Sequence, residues 1–314
     1  MQTPGLLYGF DVTQDGRAGD VVEPSQGAYR WLHWDLNHPS SREWLFQHLE
    51  PLVAQSLTQE ETRPRCLSHG EGVLLNLRGV NLNPDSDPED MVSIRLWVTA
   101  KQILSVRLRR LMAVSDLAEQ TQHQQAPLSV QDWLIALIQG LSARIEPVVG
   151  HLADTCDELE SSSLSGGQGV RRSLAELRQT TIRLRRHIGP QREALGALQS
   201  MTQLGWQREH LDALRQATDQ ITRIMEELDA VRERSAIIYD QLSDQRAEEM
   251  NHHMLVLSVI AAIFLPLGFL TGLLGVNVGG VPGADEPQAF GWVSAGLVVM
   301  GVGLGLWFKR NRWI

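Results

Sequence analysis

Hydrophobic residues are spread thinly over most of the chain and gathered densely at its end. Two runs carry no charged residue at all, 254–275 and 290–308. The first has 22 residues, thirteen of them Leu, Ile, Val or Phe. As a helix it reaches about 33 Å, enough to cross a hydrocarbon core of about 30 Å. The second, of 19 residues, reaches about 28 Å. This pattern predicts two membrane-spanning helices joined by a short loop. Lys309, Arg310 and Arg312 follow the second run, while the loop 276–289 contains no Lys or Arg. An excess of basic residues marks the cytoplasmic side, so both termini are expected in the cytoplasm and the loop, with Asp285 and Glu286, outside.

Before these runs the pattern is that of an α+β domain followed by long helices. Period-two segments rich in Val, Leu, Ile and Trp predict strands over 29–36, 65–68, 72–81, 91–98 and 102–108. A helix is expected over 40–57 with Ser40 or Ser41 as its N-cap, and the Asn-Pro-Asp-Ser-Asp-Pro stretch at 83–88 reads as a loop. From 129 onward the period becomes helical. One helix is expected over 129–159, a Ser/Gly connector over 161–167, and a second helix over 170–198 with a kink or break at Gly189-Pro190. Between Arg208 and Met254 there is neither proline nor glycine, so nothing stops a helix from running into the first span. Leu211, Leu214, Thr218, Ile221, Met225 and Leu228 keep a three-four spacing, with Leu242 in later register, which makes a seam for packing on neighbours, either around a symmetry axis or within the subunit. The expected organisation is a cytoplasmic α/β domain at 1–125, a cytoplasmic helical part at 126–206, a stalk helix continuing into the first span at 207–275, a periplasmic loop at 276–289, the second span at 290–308 and a basic cytoplasmic tail at 309–314.

Composition narrows the chemistry. The formal net charge of −9 argues against a nucleic-acid partner and suits cations. Cys66 and Cys156 form no CxxC pair and no disulfide framework. No phosphate-loop, HExxH or Ser-His-Asp signature is present, so neither ATP hydrolysis nor another enzymatic activity is expected, and no cofactor. The N-terminus lacks the basic and apolar regions of a secretory signal.

The spans themselves suggest an ion path. A helix that starts inside presents its C-terminal carbonyls outward, with about half a negative charge. Several such ends around an axis would attract cations. The first run ends at Gly275, Val276 and Asn277, and a carboxamide there can hydrogen-bond the waters of a hydrated divalent ion without trapping it. Asn251, Met254, Ser258, Ala261, Leu265, Gly268, Gly272 and Gly275 recur at threes and fours and share one face, with Leu257 competing with Ser258 for its place on the stripe. Two spans cannot enclose a pore, so a ring of subunits is required. Asp240 and Asp244 lie below Asn251 at helical spacing and could ring the inner mouth. His252 and His253 are adjacent, hence about 100° apart, and one subunit cannot chelate with both. His33 and His38 are expected to be structural. No zinc-ligand set of the usual kind is visible, so the metal-ligating residues are unknown and transit of a hydrated or weakly held ion is expected. Neither span carries a titratable residue, which leaves no intramembrane proton relay; His252 and His253 are the nearby groups of the neutral-range type.

The segment IFLPLGFLTGLLGVN at 263–277 closely resembles the end of the first span in CorA-type metal-ion transporters, which have two C-terminal spans and a Gly-x-Asn signature. Their magnesium branch usually has Gly-Met-Asn preceded by Tyr. Leu274 and Val276 depart from that, and GVNVGGVPG at 275–283 is similar to the zinc-transporting ZntB branch. The resemblance implies a funnel-shaped homopentamer in the inner membrane, with an axial pore, divalent cations as cargo and zinc preferred, and with Asn277 in the outer ring. Gly268 stands where magnesium members often have threonine, so that hydroxyl ring is absent. Three alternatives stay open at this point: coupling to protons, a magnesium, cobalt or nickel channel of the same build, and a membrane-anchored scaffold or sensor.

Overall fold

The computed structural model describes residues 4–21, 27–60, 62–164, 169–276, 283 and 286–311. It comprises two compact units, Met1–Ile238 and Tyr239–Ile314.

The first unit is built on a seven-stranded sheet, β1 (Leu6–Val12), β2 (Ala18–Gly19), β3 (Tyr29–Asp35), β4 (Arg65–His69), β5 (Gly72–Gly79), β6 (Val92–Val98) and β7 (Gln102–Arg107), in the order β2-β1-β3-β7-β6-β5-β4. Pairing is antiparallel except between β3 and β7, where Leu32 aligns with Leu104 and His33 with Ser105. The central strands are buried on both faces, as their near-continuous apolar runs require. On one face α1 (Pro39–His48) and α2 (Pro51–Thr58) bring Leu45, Val53, Ala54 and Leu57 onto Leu32, Trp34, Leu74, Leu104 and Val106. Trp34 stacks on Trp44 at 4.4 Å between ring centroids. On the other face Trp31 meets Trp133 edge-on at 4.9 Å. Trp133 belongs to α4 (Val130–Leu164), which packs beside α3 (Met112–Gln122) and α5 (Val170–Leu198).

The single helix expected over 40–57 is two. Pro51 has no N–H and disfavours a helical residue before it, and Glu50 accordingly takes φ −56°, ψ 141°. The N-cap is His38, whose Nδ1 accepts from the Ser40 N–H at 3.3 Å, rather than Ser40 or Ser41. Strands β1 and β2 and helix α3 were not anticipated. Gly189-Pro190 does not break α5, which runs through Pro190. Proline withdraws one donor there, but Leu184, Ile188, Ala194 and Leu195 bury both halves of the helix on one face.

The 67-residue helix α6 (Arg208–Leu274) takes the place of the expected stalk and first span. Its seam is filled from within the chain over the first unit. Leu214, Ile221 and Leu228 are fully buried there, alongside Ile145, Val149 and Cys156 of α4 and Leu184 and Ile188 of α5. Arg185 binds Asp229 at 2.5 Å, Arg234 bridges Asp157 and Glu160, each at 2.5 Å, and Cys156 Sγ lies 3.9 Å from Ser235 Oγ. Each such buried aliphatic side chain contributes about 2 kcal/mol. Of the two partners the spacing left open, the structure therefore supplies the one inside the subunit.

One close approach on the sheet gives a stability prediction. A Cβ at Gly72 would sit 2.6 Å from the Trp97 ring and 2.8 Å from the Val98 carbonyl oxygen. Gly72→Ala is expected to cost about 2 kcal/mol by overpacking. Thermal unfolding should show a midpoint lowered by several degrees; an unchanged midpoint would mean the strand shifts freely.

Candidate ion path

Among the described residues, two helices are long and apolar enough to cross a membrane, α6, whose residues 239–274 belong to the second unit, and α7 (Ala289–Arg310), and little of their apolar length is buried within the chain. Helix α7 ends with Lys309 and Arg310 in its last turn, where cations suit the carbonyl end of the helix. On α6 the side chains covered within the chain include Val259, almost fully buried, and Leu255, Val256, Ile263, Pro266, Leu267 and Leu270, half-buried. On α7 they include Val293, Ser294, Leu297, Leu304 and the buried Phe308. Leu267 Cδ1 lies 3.5 Å from where a Cβ of Gly301 would stand, so these are the faces on which the two helices meet.

The stripe expected to line a path is turned away from that contact. Asn251, Met254, Leu257, Ser258, Ala261, Leu265, Gly268, Gly272 and Gly275 are all exposed, Leu265 at 75%. At about 100° per residue, positions 254, 257, 261, 265, 268 and 272 lie on the side of the helix opposite Val259, with Asn251 and Ser258 on its flank. A Cβ built on Gly268 or Gly272 would meet, apart from the adjoining helix backbone, no described atom within 4 Å. Ser258 donates its hydroxyl proton to the Met254 carbonyl at 2.8 Å. Its oxygen lone pairs are left to accept from other donors, such as the waters of a hydrated cation. Pro266 lies inside the helix and has no N–H, so the carbonyl of Ala262 loses its usual helical donor.

At the outer end, Gly275 donates its N–H to the Thr271 carbonyl at 2.9 Å, and a Cβ there would stand only 2.9 Å from the same oxygen. Val276 is exposed at 47%. Asn277, the third member of the signature, lies outside the described residues, as does Asp285. At the inner end, Asp240, Asp244, His252 and His253 are all exposed, and the two imidazole rings stand 6.4 Å apart. Among the described residues no three His, Cys, Asp or Glu side chains gather as a metal-holding group. His33 is fully buried in the sheet, with Nδ1 2.8 Å from Ser105 Oγ, and His38 caps α1.

Comparison with known proteins extends this picture. The profile of the family described as CorA-like Mg2+ transporter protein matches residues 26–310. The divalent cation transporter CmaX of Pseudomonas aeruginosa is 36% identical over 327 residues, covering 99% of this chain and 97% of that protein. The zinc transport protein ZntB of Yersinia enterocolitica is 33% identical over 323 residues, covering 100% and 98%. The structure of full-length CmaX superposes with a TM-score of 0.81 at 32% identity over 100% of this chain and 99% of that one. The complete CorA magnesium transporter of Methanocaldococcus jannaschii superposes with a TM-score of 0.84 over 100% of both chains; at 17% identity this likeness speaks to the fold alone. The family that this profile describes is one of membrane transporters, not enzymes, and the α/β domain, long helix and two candidate spans match the full-length structures of such proteins. The chain belongs to the CorA-like transporter family, with ZntB and CmaX proteins as its relatives.

Proposed function

We propose that this chain carries divalent cations, zinc in preference to others, across the inner membrane through an axial path in a ring of identical subunits. The observation that carries the reading is the uncharged, exposed stripe of α6 on the side away from α7. An isolated chain leaves this stripe without a partner, whereas copies of α6 around an axis would turn it onto a common path. Five copies are what the family resemblance implies. Small residues at 261, 268, 272 and 275 leave room in the path, and Met254 and Leu265 form its apolar constrictions. The outer mouth combines the carbonyl end of α6 with Asn277, and Asp240 and Asp244 supply negative charge at the inner mouth. The basic residues after the second run support a cytoplasmic position for both termini. Support for zinc comes from the ZntB relatives, from Val276 in the signature and from glycine at 268. With no titratable side chain at 254–274 or 289–308, any proton coupling runs through groups outside the spans, of which His252 and His253 are nearest.

The test is uptake by purified protein in liposomes, comparing zinc with magnesium with and without a pH gradient. Zinc entry should exceed magnesium entry, and Asn277→Ala should remove most of it. Flux dominated by magnesium, cobalt or nickel would overturn the zinc preference. An absence of metal flux, with Asn277→Ala equal to the parent protein in cells, would favour a membrane-anchored scaffold or sensor instead.

A further inference from the structure

Away from the spans, the first unit holds a concentration of positive charge that cation transport does not use. Three separate segments build it: Thr62 and Arg63 ahead of β4, Arg78 near the end of β5, and Arg186 and His187 on α5. These five side chains line a cleft of about 440 Å³ that contains no carboxylate among its described walls. It shares Arg78, Arg186 and His187 with a second cleft of about 510 Å³, where Glu89 and Asp90 approach Arg183 at 3.9 and 3.8 Å. Glu60 lines that second cleft as well and approaches Arg42 at 3.7 Å, so the carboxylates described here belong to the second cleft, in a chain whose net charge is −9.

The cleft also holds buried polar atoms that lack partners. Thr62 is 6% exposed, and its hydroxyl is buried without a hydrogen-bond partner. His187 Nδ1 is likewise buried and unpartnered. Arg78 is held rigidly, donating from Nε and Nη2 to the Thr62 carbonyl and from Nη1 to that of Met91. Arg63 and Arg186 are exposed and make no ion pair among the described residues. Unpaired buried donors cost free energy, so such a set persists only when something supplies acceptors. Burial first, then the charges of Arg78, Arg186 and Arg63, holds the His187 imidazole down to about 4. Arg95, fully buried on β6, is held down to about 10 by burial and by Arg78 and Arg42. In both, burial is the largest cause and neighbouring guanidinium charges add to it.

The geometry points to a binding site for the phosphate group of a small soluble molecule, with Arg63, Arg186, Thr62 and His187 as its donors and the fixed Arg78 guanidinium as a charge in its wall. A tetrahedral dianion offers acceptors in several directions and matches a guanidinium with paired contacts. The size of the cleft falls within the range of small-molecule sites. This proposal stands independently of the transport reading, because binding is measured without metal.

The experiment uses full-length protein in detergent, freed of metal with EDTA, at constant ionic strength. Calorimetric titration with pyrophosphate, and with inorganic phosphate, should saturate. R63Q/R186Q should weaken pyrophosphate binding by about tenfold or more. Arg172→Gln, on an exposed turn of the same helix, serves as the control and should bind as the parent does. Thr62→Val should weaken binding with little change in shape. No saturable binding of either anion, or equal affinities for R63Q/R186Q and R172Q, would overturn the site. A second arm repeats the titration in nanodiscs of zwitterionic and of anionic phospholipid. Equal affinity in both supports a soluble phosphate; a tenfold loss in the anionic discs, abolished in R63Q/R186Q, would assign the cleft to a lipid headgroup and overturn the soluble ligand.

Discussion

Gly268→Trp should abolish zinc entry into liposomes, by about a hundredfold or more, while the protein still folds and inserts. In the single chain the change has little to collide with, since apart from the adjoining helix backbone no described atom lies within 4 Å of a Cβ at that position. An indole facing lipid would be harmless, because tryptophan is tolerated in spans and carries no charge. If copies of α6 turn this stripe onto one axis, every subunit contributes an indole at the same height and the rings occlude the path. The control is Val299→Trp on α7, a position 71% exposed in the chain, where the same side chain should leave flux close to that of the parent. Gly268→Thr asks a finer question. It restores a hydroxyl where the family's magnesium members often carry one, and magnesium entry should rise relative to zinc. Isotope or fluorescent-dye uptake reads all three variants. Equal flux through Gly268→Trp and the parent would mean that the stripe faces lipid, and the axial path would have to be given up.

The spans were plain in the sequence because a bilayer demands a long uncharged run, and nothing else in the chain supplies one. Most central strands were equally legible, since burial on both faces leaves runs such as Val73-Leu74-Leu75. The edge of the sheet was harder to read. In β1, Gly9 and Asp11 interrupt the apolar pattern, and Arg30 on β3 binds the Asp11 carboxylate at 2.8 and 3.1 Å. That partner lies on another strand and no local rule reveals it. Helix α3 did carry a signal, Val114, Leu117, Ala118 and Thr121 at helical spacing, all of them buried. Pro51 likewise announced the division of α1 from α2. For α6 the three-four seam shows that a face is covered, while periodicity is silent on whether a neighbouring subunit or α4 and α5 cover it. The stripe at 254–275 was legible as a face, and its orientation away from α7 required coordinates. The cationic cleft was out of reach altogether, because Arg63, Arg78 and Arg186 come together only through the fold.

Acidification should destabilise the first unit through His33, with the loss beginning as pH falls below about 6.5. Ser105 Oγ lies 2.8 Å from Trp31 Nε1, 2.8 Å from His33 Nδ1 and 3.2 Å from the Leu32 carbonyl oxygen. The indole can only donate, and the hydroxyl proton goes to the carbonyl. The oxygen then accepts from both Trp31 and an Nδ1–H of His33, and all its capacity is used. This tautomer leaves Nε2 as a bare, buried lone pair without a partner. A proton added there would create a charge with no acceptor. Burial, followed by the nearby Arg107 charge, accordingly holds the imidazole down to about 3. The unfolded chain binds the proton near pH 6.5 and the folded chain only near pH 3. Between those values the unfolded state holds more protons, so stability rises with pH, is complete above 6.5 and drains away as pH falls toward 3. The full span corresponds to about 5 kcal/mol as an upper order of magnitude. His33→Asn keeps a donor toward Ser105 and removes the titrating ring. Thermal unfolding of the full chain in detergent, followed from pH 7 to pH 4.5, should fall steeply for the parent and more gently for H33N. Parallel curves would show that His33 is not the group that acid attacks.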